Sequence, residues 1–526
     1  MSAIPDSQPF EADVALILEG TYPYVSGGVS SWVHQILNSC PSRSFALFHI
    51  APYPGAYGEP RYKMPENVKV LTEAHCRAAE DKKPSKAHLP GLLRKVRKDP
   101  SRVLRAFGRL HLEDEVDDQL LADLASGDLS IPEFLHGDAT FELLRKDLYP
   151  RISPDAPFMD FFWHFRAMHV PLLRLLAAPF PKAAIYHAIS TGYAGVVGAV
   201  QSLRENRPLV VTEHGIYARE REMELSRATW IQDMSVLGGS ATPSPLRRFW
   251  SHYFRMLSKI AYHRAEKVLT LSEDNRAKQL ADGADPAKTS IVPNGVDPEL
   301  WKRVEAVAAV AAEGTPADGT EAAITDEEQP RAKVTTRQLR VGFVGRVVPI
   351  KDVITLIRAI GIARNEVDLE LWMIGPEDED KAYAGRCHAL VKSLGLEDRI
   401  KFLGPQKVAD MYPQLDVVVL TSLSEGQPLV ILEAYAAGVP VVATYVGACR
   451  ELIEGGDAAD RALGPSGIVT RVANPVETAA ALVTLARDPE LRLKMGKAGV
   501  ARVQQRYVLS QVVASYEQLY ASMVAA

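Results

Sequence analysis

The chain is poor in cysteine: four residues, at positions 40, 76, 387 and 449, far apart and with no CxxC pair. That excludes a disulfide framework, argues against a cysteine-ligated zinc centre and fits a reducing compartment. No uncharged apolar run is long enough to span a bilayer; the best, Leu429 to Gly447, is interrupted by Glu433. The opening residues, Met-Ser-Ala-Ile-Pro-Asp-Ser-Gln, have neither a basic n-region nor an apolar h-region. A secretory leader is therefore not expected, and a cytoplasmic location is. An excess of positive charge is lacking too: 60 Lys and Arg face 65 Asp and Glu, a formal net charge of −5, which gives no reason to bind nucleic acid. The first Gly-rich turn lacks the G-x-G-x-x-G spacing of a dinucleotide site, which weighs against NAD.

What is present is an ordinary globular composition, 47% hydrophobic and 24% charged, in 526 residues, enough for two or three domains. Apolar runs alternate with helical patterns, which predicts an α/β protein with parallel sheets covered on both faces. Strands are expected at 14–18, 45–50, 68–71, 185–188, 209–212 and 268–271, and again at 341–344, 369–374, 400–403, 417–420, 439–443 and 468–469. About six strands in each half suit two doubly wound, Rossmann-like domains with a ligand cleft between the carboxyl ends of their sheets. The expected organisation is a first domain over 11–300, a flexible Ala/Glu/Thr-rich excursion over 301–338, a second domain over 339–505 and a terminal helical segment over 506–526.

A helical block over about 76–170 is inserted in the first domain. Residues 77–109 hold eleven Lys/Arg against three Asp/Glu, and 110–144 hold ten Asp/Glu and no Lys/Arg. Two opposite blocks predict either a solvated subdomain whose halves attract each other or a docking surface for a partner or an anionic membrane face.

Four motifs carry chemistry. In Ser424-Glu-Gly-Gln-Pro-Leu-Val-Ile-Leu-Glu-Ala-Tyr-Ala-Ala-Gly438, a buried-strand pattern at 416–422 leads through a tight loop to a short apolar helix, begun by Pro428 and ended by Gly438. Glu425 then lies at the carboxyl end of a strand, and Glu433 is the one charge in its helix. Such a carboxylate needs a partner, and the paired hydroxyls of a sugar or ribose would serve. Arg346 and Lys351 flank a loop that follows a strand and opens a helix, an anion site suited to a diphosphate. Gly27 and Gly28 let a ligand approach the amides at the start of the first helix. His214 ends a strand in Thr-Glu-His-Gly and suits a hydroxyl contact or a proton transfer. Pro293-Asn-Gly-Val-Asp297 reads as a turn between domains, and Asp378-Glu-Asp380 as acidic residues at a helix start rather than a metal site.

The Gly27-Gly28 loop, Pro293-Asn-Gly-Val-Asp297, Gly-Arg346-x4-Lys351 and the spacing Glu425-x7-Glu433, in this order along the chain, resemble the GT4 family of retaining GT-B glycosyltransferases. The first 35 residues, the Thr-Glu-His-Gly-Ile-Tyr-Ala-Arg-Glu run and the helical insertion are more narrowly similar to the transferases of Pel exopolysaccharide synthesis. The resemblance implies two domains facing across a cleft and a hexose moved from a UDP-sugar, UDP-glucose first, to a growing polysaccharide. It implies no metal, and partners in an inner-membrane synthesis and export complex. By the same resemblance Arg346 and Lys351 hold the diphosphate, supported by backbone amides of Gly426, Gln427 and Leu429. Glu433 holds the ribose, Glu425 the sugar ring, and His214 the transferred sugar; Gly27 and Gly28 approach the diphosphate or the acceptor. Glu425 is either a nucleophile or a hydroxyl ligand. The loop at Gly375-Pro-Glu-Asp-Glu-Asp departs from the family's Gly-Asp-Gly-Pro, so base recognition there stays open. The alternatives are a catalytically silent nucleotide-sugar sensor or scaffold, and a GT-B epimerase or phosphorylase.

Overall fold

The computed structural model describes residues 11–77, 100–228, 230–231, 244–297 and 338–524. The excursion expected at 301–338 lies, but for its last residue, outside them, as do residues 78–99 of the basic block. The chain divides into one unit of 1–292 plus 513–526 and a second of 293–512.

The first unit is built on seven parallel strands: β1 (Ala12–Glu19), β2 (Phe45–Ala51), β3 (Val68–His75), β4 (Ala183–Ala188), β5 (Leu209–Glu213), β6 (Lys267–Thr270) and β7 (Thr289–Ile291). Their order is β3-β2-β1-β4-β5-β6-β7, so the direction of winding reverses between β1 and β4. The second unit repeats the plan with β8 (Leu339–Val344), β9 (Leu369–Ile374), β10 (Ile400–Gly404), β11 (Val417–Leu420), β12 (Val441–Thr444) and β13 (Gly467–Thr470), ordered β10-β9-β8-β11-β12-β13. Its reversal falls between β8 and β11.

Burial on both faces explains the near-continuous apolar strands. In β11, Val417 and Val419 join the core under the helix Val353–Ala363, whereas Val418 and Leu420 join the core on the opposite face with Ile431 and Leu432. β7 was absent from the expected strands: Thr-Ser-Ile is too short to show an apolar run, and it forms by pairing with β6 at the sheet edge.

The insertion runs as helices from Ser101 through Ala177, seven residues beyond the expected end. Its basic and acidic parts pair directly. Arg102 Nε lies 2.9 Å from Asp123 Oδ1, and Arg109 reaches Asp117 with two bonds of 2.9 Å. The opposite blocks thus attract each other, and Asp114 and Asp118 of the acidic part also face His252 and His263 outside the insertion.

The final helix is Leu509–Val524. From Val513 onward it belongs to the first unit, where Tyr520 Oη lies 2.7 Å from His187 Nδ1 and the Tyr516 ring packs 5.2 Å from Trp32. All four cysteines are free thiols. Among the described residues no helix is long and apolar enough to cross a membrane.

Candidate functional site

The reversal between β8 and β11 places the two informative loops of the second unit side by side. After β8 the chain makes a 3-10 turn, Pro349–Lys351, and enters the helix Val353–Ala363, whose first turn Asp352 caps through the Thr355 amide at 3.4 Å. After β11 it runs through Ser424–Pro428 into the helix Leu429–Ala436. Pro428 sits at the cap of this helix and Gly438 beyond its end at φ +71, where the left-handed turn favours glycine.

The loops are stapled together. Leu423 N donates to the Ile350 carbonyl at 2.8 Å, and Thr421 Oγ1 to the Lys351 and Asp352 carbonyls at 3.1 and 3.0 Å. Gly447, at φ +48, presses on the second loop: a Cβ there would stand 2.0 Å from the Glu425 carbonyl oxygen. Only glycine lets the loop after β12 close on Glu425.

Lys351 Nζ then reaches Glu425 Oε1 at 2.6 Å, and Ser422 Oγ donates to the same oxygen at 2.5 Å. The pair is largely sheltered, with 22% and 11% of the two side chains exposed. Arg346 does not join it. Its Nη1 donates to both carboxylate oxygens of Glu379 at 2.6 Å, in the loop after β9. Asp380 in that loop caps the helix Lys381–Ser393 through Tyr383 N at 2.9 Å. Glu433 is half-buried and accepts from Tyr412 Oη at 2.8 Å; burial raises its pKa and the tyrosine hydrogen bond opposes the rise.

Gln427 is buried and occupied. Its Oε1 accepts from Asn294 N at 2.6 Å and its carbonyl from Asn294 Nδ2 at 3.0 Å. The Pro293-Asn294 turn therefore braces the Glu425 loop inside the second unit. Gly426 accepts from Ala448 N at 2.8 Å, and half-buried Leu429 starts the helix.

In the first unit, Gly27 and Gly28 precede and begin the helix Gly28–Ser39, and a Cβ on either would meet nothing within 4 Å. His214 follows β5, with the Trp32 ring edge-on at 4.8 Å; its Nε2 is buried and without a hydrogen-bond partner. Burial lowers its pKa to about 4, so the imidazole is neutral at ordinary pH and can accept a hydroxyl proton. Beside it Glu213 is wholly buried, and its bonding network with Thr191, Tyr217 N and Gln279 makes it structural. Among the described residues no group of three or more His, Cys, Asp or Glu side chains is arranged to hold a metal ion.

Three partners escaped the sequence reading. Ser422 closes the strand pattern at 416–422 and Glu379 lies within Asp378-Glu-Asp380, yet nothing in either run marks the residue as a donor to Glu425 or an acceptor from Arg346. Tyr412 lies 21 residues before Glu433 and carries no motif at all.

Comparison with known proteins follows this division. The family model described as Domain of unknown function (DUF3492) matches residues 12–287, more than half of the chain, and that described as Glycosyl transferases group 1 matches 338–488. The MMP alpha-(1->4)-mannosyltransferase of Mycolicibacterium hassiacum is 27% identical over 339 residues, 62% of this chain and 69% of that protein. The D-inositol 3-phosphate glycosyltransferase of Kineococcus radiotolerans is 34% identical over 249 residues, 45% of this chain and 53% of that protein. Anabaena Alr3699/HepE, solved in complex with UDP and glucose, superposes with a TM-score of 0.56 at 17% identity, over 97% of this chain and 100% of that one. That likeness places the chain in the same GT-B fold of two parallel-sheet α/β domains.

Proposed function

We propose that this chain, which belongs to the family described as Domain of unknown function (DUF3492) and carries a group 1 glycosyl transferase domain after it, is a retaining, metal-independent hexosyltransferase. Its donor is a UDP-sugar, UDP-glucose first, and its acceptor a growing exopolysaccharide of the Pel type, by resemblance to the Pel transferase PelF. The transfer takes place in the cytoplasm, beside a membrane-bound synthesis and export complex. The observation that carries the reading is the sheltered Lys351–Glu425 pair, 2.6 Å apart at the sheet's reversal point, with Arg346 earlier in the loop that carries Lys351.

Each group has a physical task. Cleavage of the sugar–phosphate bond leaves charge on the diphosphate, and Arg346 and Lys351 are two fixed cations to stabilise it without a metal. Glu433 is assigned to the ribose hydroxyls. Glu425, oriented by Ser422, accepts from the sugar ring as Lys351 turns to phosphate. Neutral His214 is assigned to a hydroxyl of the transferred sugar. The departing phosphate takes the acceptor's proton on the same face, which retains configuration.

Thermal shift with a nucleotide and nucleotide-sugar panel tests the donor. UDP raises the melting temperature of the wild type, and Arg346→Ala and Lys351→Ala lose that rise with little change in the apo transition. Slow release of UDP from one nucleotide sugar marks the enzyme. Binding of every donor without turnover would instead favour the sensor reading.

A further inference from the structure

The loops after β1 and β2 hold a cluster of aromatic rings that the donor chemistry does not use. Tyr24 and Tyr57 lie nearly parallel, 10° apart, with centroids 5.7 Å apart. His49 packs edge-on against both, at 4.9 and 5.5 Å. Tyr62, on the loop that carries Tyr57, packs on Tyr22 and His34 in a second group, and Tyr53, on that loop too, is 50% exposed. Tyr24 and Tyr57 are only half-buried. They form a partly open shelf of rings and not a core, and a local concentration of exposed aromatic surface marks a binding face.

Beneath the shelf are unfilled polar positions. His49 is wholly buried, and its Nδ1 lies 3.1 Å from the Tyr22 carbonyl oxygen. A carbonyl only accepts, so Nδ1 carries the proton. Burial lowers the His49 pKa and keeps the ring neutral, so Nε2 is a bare acceptor, and it has no partner. Thr21 Oγ1, one residue before Tyr22, is likewise buried and unpartnered. Buried polar atoms normally find partners, so the two call for a ligand that offers hydroxyl groups. Tyr57 lies over them: its ring meets His49, and its hydroxyl stands 3.2 Å from where a Cβ on Gly20 would be.

We infer that this shelf is a subsite for a neutral carbohydrate chain, the acceptor in the transferase reading on which the inference rests. Pyranose rings lay their C–H faces on the electron-rich faces of Tyr24, Tyr57 and Tyr53. A chain that tilts Tyr57 aside brings a sugar hydroxyl to His49 Nε2. The loop that carries Tyr24 ends at Gly27 and Gly28, where a Cβ would meet nothing within 4 Å, so the chain can continue along the first unit.

The test is calorimetric titration of the full chain, with UDP present, by maltohexaose, cellohexaose and chitohexaose. At least one binds the wild type. Tyr57→Ala weakens that binding about tenfold, the loss of one aromatic stacking contact, while Tyr57→Phe stays within about twofold. The UDP thermal shift is unchanged in both. Should Tyr57→Ala lose its apo melting transition, Tyr53→Ala, at an exposed site, carries the same expectation of weaker binding. Failure of all three oligosaccharides to bind, or wild-type affinity in the alanine variants with the UDP shift intact, overturns the subsite alone. Uridine competing for the shelf would assign it to a nucleobase and overturn it too. Absence of any UDP shift in the wild type would instead sink the transferase reading beneath it.

Discussion

Arg346 is the proposed diphosphate ligand, yet its guanidinium is held by Glu379, with Nη1 2.6 Å from both carboxylate oxygens. A diphosphate must displace that carboxylate. The two side chains are 34% and 49% exposed, so this is a surface ion pair, worth about 0.2–1 kcal/mol. Glu379→Gln should therefore tighten UDP binding by about 1.4- to 5-fold and no more. Arg346→Ala removes a charge-assisted hydrogen bond of about 1.5–3 kcal/mol and should weaken UDP by about 10- to 150-fold. The cycle is decisive. In the Arg346→Ala background Glu379→Gln should do nothing, because the carboxylate has lost the cation it competes for. Calorimetric UDP titration of the four proteins reads all of this, and the gain from Glu379→Gln should fade in high salt as the ion pair is screened. Weaker UDP binding by Glu379→Gln, or an equal gain with and without Arg346, would refute the competition.

Other outcomes follow from the hydrogen-bond and titration geometry. Glu433 has a raised pKa, so ribose recognition by its ionised form should fail as pH falls through that raised value. Tyr412→Phe deletes the donor at 2.8 Å, so UDP affinity measured from pH 8 to pH 5 should be lost at higher pH than in the wild type. Arg502 is wholly buried, with Nε 2.6 Å from Asp460 Oδ1 and Nη1 2.6 Å from Ser466 Oγ; Arg502→Met strands Asp460 and should cost about 3–5 kcal/mol in denaturant unfolding. Arg502→Met with Asp460→Leu should recover most of that loss. His169 and His187 are buried with pKa values lowered to about 3, and His111 is lowered well below its ordinary value, all through burial. Their folded values lie below the unfolded one, so their contribution is whole above the ordinary histidine value of 6.5 and is lost as pH falls toward 3. Each adds about 1.4 kcal/mol of lost stability per pH unit in that window, and melting temperature should fall steeply below pH 6, less so in His169→Phe.

How far the sequence spoke depended on how local the signal was. β8, β9 and β11 were legible because a strand buried on both faces must be a short apolar run, and such a run needs no tertiary information. β7 was not, since three residues at a sheet edge carry no pattern. The Lys351–Glu425 meeting was half legible: each residue stands at the end of a strand, but only the order β8-β11 makes those ends adjacent. Gly447 was unmarked, because its role is to yield space to a carbonyl 22 residues earlier in the chain. Tyr412 was invisible for the same reason, and Glu379, read as one of the acidic residues at a helix start, gave no sign of its pairing with Arg346, a partner chosen by packing and not by spacing.

The arrangement of charge in the second unit also bears on selectivity. Both cations are satisfied by carboxylates, Lys351 by Glu425 and Arg346 by Glu379. Neither is a bare charge in a groove, so a singly charged or neutral ligand has little to gain by breaking the pairs. A diphosphate can replace two carboxylates at once, and the freed Glu425 then becomes available, with Ser422 still holding it, to accept from the sugar that the diphosphate carries. Glu379 has no such second task and simply returns to solvent. The exchange links capture of the leaving group to placement of the sugar's ligand, since the same movement of Lys351 does both. A nucleotide lacking the sugar would release Glu425 with nothing to bind, so Glu425→Gln, which also frees Lys351 from a competing carboxylate, should hold or tighten UDP affinity and weaken only the full nucleotide sugar. Equal weakening of both in calorimetry would mean that Glu425 serves the diphosphate side, and that the two steps are not joined.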